Sequence, residues 1–350
     1  MRLLAVGTAF PPHYVAQETV ARTLAQSWSS NGSGRLPIER LHGVTGVEGR
    51  YFSLPIDDYT APRSFTESND AFIRIATDLG VNAIEDALTQ AAVAARDVGL
   101  LVVVTTTGVA APSLGARLLN RLDLRPDLKH LPVIGLGCVG GAAGVARCSE
   151  YVRAFPDELS LMLSVELCSL TLQLEDRSRA NMIATGLFGD GAACAVVAGA
   201  GRGSQARLRV MGSRSLFHRD TEDVLGWHIG ESGFRLLLRE DLPQVACKTL
   251  RSDVEQFLAA HDLRCEDIGR WIVHPGGPKI LRHVQEALGI PPDALSWSYD
   301  SLRRRGNVSS VSVLLILRDV IESPPPPGTY GMMLGMGPGF SAELVLLRWE

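Results

Sequence analysis

The chain has 350 residues, 46 % of them hydrophobic and 21 % charged, a balance that supports a sizeable buried core and one or two domains of roughly 100–200 residues each. A net charge of −4 and a pI near 6.1 give no basic footprint for nucleic acid or an anionic membrane. The opening run MRLLAVGTAFPPHYV is too short in apolar residues for a signal peptide, and no stretch approaches the roughly 18 apolar residues of a membrane helix. The expectation is a cytoplasmic protein with no nucleic-acid partner and no membrane insertion.

In chain order, β-rich or apolar runs predict strands at Leu3–Gly7, Leu101–Thr105, Val133–Leu136, Leu161–Val165, Ala193–Val197, Trp271–Val273, Tyr330–Leu334 and Ala342–Leu347. Helical stretches alternate with them at Asp70–Ala95, Val139–Phe155, Pro243–His261, Pro278–Leu288 and Ser310–Ile321. Such alternation argues for an α/β fold. The glycine-rich polar segment 199–207 is the best internal boundary, and the PPPPG loop at 324–328 stops a helix before two closing strands. Six cysteines, at 138, 148, 168, 194, 247 and 265, include no C-x-x-C pair. Four lie among apolar or small residues, which fits reduced, mostly buried thiols and no metal site.

A weak long-period repeat is visible. Gly137-Cys138-Val139-Gly140-Gly141 opens one apolar helix and Gly306-Asn307-Val308-Ser309-Ser310 another, with Cys138 and Asn307 169 positions apart. Gly189-Asp190-Gly191 and Gly337-Pro338-Gly339 each precede an alternating strand. A duplicated α/β chain would set two equivalent helix N-termini face to face at a pseudo-dyad.

Cys138 stands where a strand turns into a helix, so backbone N–H groups and the helix dipole would favour its thiolate; the alternative is a small cysteine filling space beside glycines. His274 ends the run WIV and starts HPGGPKIL, a small-walled corner where an imidazole can pair with a cysteine, although a lone histidine also serves structure. Asn307 is the third polar group at a helix start, and helix capping is its competing role.

Taken together, VIGLGCVGGAAG, VELCSLTL, GLFGDGAA, WIVHPGGPKIL, GNVSSVSVLLIL and GMGPGFSAELVLL resemble, in order, the type III polyketide synthases, the chalcone synthase-like branch of the thiolase superfamily. The match runs from about residue 101 to the carboxyl terminus. The resemblance implies a duplicated, five-layered αβαβα fold, with residues 1–202 as the half carrying the cysteine and 203–350 as the half carrying His and Asn. It implies a homodimer, a catalytic set of Cys138, His274 and Asn307, acyl-CoA starter and malonyl-CoA as substrates, and no cofactor or metal. Phe188 matches a gatekeeper phenylalanine. Leu236 falls where a second gatekeeper aromatic stands, and Trp227 where plant members carry a small residue. Cys168, Thr171, Ser309 and Pro338 match cavity-wall positions. For CoA, the resemblance and the helix start point to Arg50, Lys279, Gly276 and Gly277. The competing functions are a single-round ketoacyl synthase III-like enzyme and a catalytically inactive dimer partner.

Overall fold

A computed structural model describes residues 1–30, 38–202, 207–239, 241, 242, 244 and 248–350. Cys247, the start of the predicted 243–261 helix and much of the predicted boundary segment lie outside the described residues. The elements that matter for the site are strands β1 (Arg2–Ala9), β2 (His13–Ala16), β3 (Gly49–Phe52), β4 (Val98–Thr105), β5 (Lys129–Ile134), β6 (Leu159–Leu167), β7 (Asp190–Ala198), β8 (Leu208–Phe217), β9 (Leu225–Gly230), β10 (Gly233–Leu238), β11 (Ile268–Val273), β12 (Tyr330–Gly337) and β13 (Ser341–Trp349). The helices are α1 (Gln17–Ser30), α2 (Ile38–Gly43), α3 (Phe65–Ala91), α4 (Leu114–Leu119), α5 (Gly140–Ala154), α6 (Arg179–Leu187), α7 (Leu250–Ala259), α8 (Pro278–Leu288), α9 (Ser296–Arg305) and α10 (Ser312–Glu322).

Nine strands form one sheet in the order β11-β12-β13-β8-β1-β7-β6-β4-β5. Read outward from the β8–β1 junction, both arms repeat one pattern: two antiparallel pairings, then a parallel one. The first arm adds a further parallel strand, β5, at its edge. This palindrome of order and direction is the duplication that the paired glycine motifs suggested.

The inner strands are apolar on both faces because both faces are covered. Leu101 and Val103 of β4 pack with α3 and α4, while Leu100, Val102 and Val104 join a central core with α5 and α10. In the second arm Leu344 and Leu346 face α8, while Val345 and Leu347 face the central helices. The result is five layers: outer helices, one arm, α5 with α10, the other arm, outer helices.

Small residues let the central helices meet. A Cβ on Gly141 would stand 2.1 Å from the carbonyl oxygen of Ser310, while Gly144 seats α5 on the sheet, where a Cβ would stand 2.4 Å from Met162 of β6. Crossing that closely brings the start of α5 beside the start of α10, and with it Cys138 beside Ser309.

Candidate active site

Cys138 lies in a single 3-10 turn, Gly137–Val139, that runs directly into α5. Gly137 has φ 55°, and a Cβ there would sit 2.5 Å from the Pro338 ring, so only glycine fits. The half-buried thiol donates to Ser309 Oγ at 3.5 Å. Pro338 thus buttresses the Cys138 turn from outside; the cavity wall next to it is made by Met336, Gly337 and Phe340 instead.

His274 directly follows β11 and is 3 % exposed, with its backbone N–H donating to Leu334 O at 2.9 Å and its Nδ1 unpartnered. Asn307 is held by backbone on both sides: its N–H donates to Leu187 O at 2.8 Å, and its carbonyl accepts from Gly189 N at 3.0 Å. Its Oδ1 accepts from Ser309 N at 2.8 Å, which turns Nδ2 toward Gly276 O, 3.5 Å away. Asn307 therefore braces its own loop rather than capping α10, whose first residue is Ser312.

Cys138, His274 and Asn307, drawn from three distant segments, line one apolar cavity of about 70 Å³ with Leu187, Leu236 and Phe188. Burial pushes the Cys138 thiol up to about 12, against the pull of its hydrogen bond to Ser309, and drives the His274 imidazolium down to about 3. A lone thiolate and a lone imidazolium are both disfavoured by this burial.

A second lobe of about 30 Å³ shares Phe188, Leu236 and Ala184 with the first and adds Cys168, Thr171 and Trp227. Of the predicted cavity residues, Cys168, Thr171, Phe188, Trp227 and Leu236 therefore line the cavity, Ser309 touches Cys138, and Pro338 stands behind it. Trp227 and Leu236 are direct partners across the β9–β10 hairpin.

Arg50 corrects the expectation of a CoA contact. It is 0 % exposed, and burial lowers its pKa only to about 10, so it keeps its charge at neutral pH. Its Nε donates to Phe188 O at 2.7 Å, and its two amino groups donate to Gln17 Oε1 and Thr185 O. Gln17 Nε2 reaches Gly186 O at 2.7 Å. The four carbonyls 185–188 at the end of α6 are thereby all satisfied, by Arg50, Gln17 and the Asn307 backbone. Arg50 fixes the segment that carries Phe188 and pairs with Asn307. Replacing it by Met leaves at least two carbonyls bare at roughly 1–3 kcal/mol each. Urea unfolding of Arg50→Met is expected to show a clearly lower midpoint. A stable variant with a raised KM for a CoA substrate would restore the CoA assignment.

Among the CoA candidates, Gly276 lines the cavity, while Lys279 is exposed in the first turn of α8. Gly277 has φ 149° and lies 3.9 Å, measured from an added Cβ, from Leu187.

Sequence reasoning passed over Glu166. It sits at the end of β6 with 0 % exposure, accepts from Thr106 N and Thr107 Oγ1 at 3.0 Å each and from Ser310 Oγ, and is pushed by burial to about 7. An acid inside the run LSLMLSVEL is the signal that could have flagged it.

Among the described residues no cluster of metal-ligating side chains occurs, and no helix is long and apolar enough to cross a membrane. Residues 210–349 match the family model described as chalcone and stilbene synthases, C-terminal domain, and residues 60–263 match that of FAE1/type III polyketide synthase-like protein. The chain is 48 % identical over 348 residues to 1,3,6,8-tetrahydroxynaphthalene synthase of Streptomyces peucetius subsp. caesius, covering 99 % of this chain and 92 % of that one. It is 29 % identical to phloroglucinol synthase of Pseudomonas fluorescens, covering 97 % of each. The crystal structure of 1,3,6,8-tetrahydroxynaphthalene synthase from Streptomyces coelicolor A3(2) superposes with a TM-score of 0.94 at 29 % identity, over 100 % of this chain and 99 % of that one.

Proposed function

Because the chain belongs to the type III polyketide synthases, acyltransferase-type condensing enzymes of the thiolase fold, we propose that Cys138 loads an acyl-CoA starter and extends it by decarboxylative condensation with malonyl-CoA. The observation that carries this reading is the convergence of Cys138, His274 and Asn307 on one apolar cavity at two matched helix starts. Cys138 gives its proton to His274 and attacks the acyl carbonyl. A new carbon–sulfur bond forms, the bond from the acyl carbon to the CoA sulfur breaks, and CoA leaves as the thiolate, so His274 keeps the proton on Nε2. Malonyl-CoA then loses carbon dioxide, and the electron pair of the broken bond becomes an enolate. His274 Nε2–H and Asn307 Nδ2–H donate to its oxygen, in a site walled by leucines that exclude water. The enolate carbon attacks the Cys138 thioester, and the sulfur is released for the next round. Cyclisation to a pyrone, a resorcinol or a related aromatic follows in the cavity.

In this reading the CoA thioesters are substrates and no cofactor takes part; the pantetheine enters between α6 and α8, past Gly276, Gly277 and Lys279. CoA chemistry and unpaired thiols fit a cytoplasmic setting. The sheet palindrome supports a division into halves 1–202 and 203–350. Incubation with radiolabelled malonyl-CoA and a panel of starter CoAs, with product identification, tests the whole reading; no labelled polyketide from any starter would overturn it.

We assign the homodimer to the outer edge of β5. That edge strand exposes Leu131 at 47 % and Ile134 at 57 %, with Val109 at 38 %, a run that an isolated subunit would leave prone to edge pairing. Sedimentation is expected to give a dimer of 37.7 kDa subunits, and Ile134→Lys to shift it toward monomer. A stable, active monomer of the parent protein would overturn the assignment.

A further inference from the structure

One wall of the second cavity lobe is an aromatic ring that also lines a separate small void. Phe234 lies on β10, two residues before Leu236 and on the same face, diagonal to Trp227 across the hairpin. Its ring centroid is 6.0 Å from the indole at 72°. Behind it stands Phe65, the first residue of α3, edge-on at 5.7 Å and 77°. Phe234 is itself only 5 % exposed.

The cavity lobe containing Cys168 and Trp227 has Phe234 in its wall, and so does a void of about 10 Å³ beside Thr107 and Asn69. Among the described residues Phe234 is the side chain the two share. That small void shares Ser68, Leu170, Gln173 and Ser232 with an open groove of about 280 Å³ running past Arg63 and Arg235. The septum is pinned: Gln173 Nε2 donates to the carbonyls of Ser232 at 2.9 Å and Phe234 at 3.3 Å.

We propose that Phe234 limits acyl length in this enzyme, sealing the catalytic cavity from a latent channel that would carry the distal end of a straight-chain acyl group toward the groove beside Arg63 and Arg235. This rests on the reading of that cavity as the acyl site. Trp227 sets the near wall, Phe234 stands between the lobe and the small void beyond it, and Ser169 and Leu172 stand between the lobe and the groove itself. Shortening the ring to a methyl vacates room for several methylenes, each worth roughly fourfold in affinity when buried.

The test is equilibrium binding of dodecanoyl-CoA and acetyl-CoA by calorimetry in a Cys138→Ala background, which removes turnover. Phe234→Ala is expected to tighten dodecanoyl-CoA by at least about tenfold and acetyl-CoA by less than about threefold. Adding Ser68→Trp, which refills the void beyond, should return dodecanoyl-CoA to the parent value. Phe234→Leu, which keeps an apolar plug and guards against misfolding, should give an intermediate gain. Equal affinities in parent and variants, or a gain that Ser68→Trp leaves intact, would overturn the proposal. If the unmodified enzyme makes no polyketide yet chain-length selectivity shifts, the functional reading fails and the septum stands. If polyketide forms normally and selectivity is unmoved, the septum fails alone.

Discussion

Cys138→Ala is expected to reduce polyketide formation below detection, because no other thiol in the cavity can hold the growing chain. Cys168 is the competitor that makes the test sharp: it lines the adjoining lobe, but burial holds its thiol well above the ordinary cysteine range, with the Glu166 and Asp190 carboxylates adding to the effect. Cys138 differs in three respects. It stands at the start of α5, it donates to Ser309, and it shares a cavity with His274, which can take its proton. Incubating the wild type with starter CoA and digesting it should place the acyl adduct on Cys138. The alanine variant should carry none, and should still release carbon dioxide from malonyl-CoA, since that step is assigned to His274 and Asn307. An adduct on Cys168, or product from Cys138→Ala, would overturn the assignment.

Much of this was legible because the informative signals are local. Strands such as β4, β6 and β12, covered on both faces, are near-continuous apolar runs and are visible as such. The start of β5 was missed because Lys129 and His130 open an exposed edge, and β8 because it alternates buried residues with Arg209, Ser213 and Arg214. The polar helix α9, SWSYDSLRRR, carries no apolar stripe of its own and is held by neighbours. Cys138 and His274 each announce themselves at a strand-to-helix turn, and Asn307 at the start of a helix. Arg50 does not: the carbonyls that bury its charge lie 135 and 138 positions away, and nothing in the segment VEGRYF shows that they converge on it. The partition made by Phe234 is likewise a property of three distant segments, α3, the 168–173 stretch and the β9–β10 hairpin, and of no single one.

Asn307→Ala is expected to slow malonyl-CoA decarboxylation by about a hundredfold or more, the usual cost of removing one donor to a developing oxyanion, while starter loading on Cys138 continues. The geometry supports that separation. Asn307 makes no hydrogen bond to the sulfur; its side-chain oxygen is committed to Ser309 N at 2.8 Å, which leaves the amide nitrogen as the free end. That nitrogen has only a long 3.5 Å contact to Gly276 O, a weak bond readily exchanged for an enolate oxygen. Alanine also loosens the turn before α10, so Asn307→Asp serves as the stricter variant: its carboxylate can still accept from Ser309 N but cannot donate to an enolate. Both variants should form the Cys138 acyl adduct in intact-mass measurements and both should lose release of labelled carbon dioxide, the aspartate at least as severely because it sets a negative charge against the enolate. Decarboxylation preserved in Asn307→Asp would show that His274 or water supplies the stabilisation alone. Loss of the acyl adduct in both variants would move Asn307 from the enolate to the nucleophile.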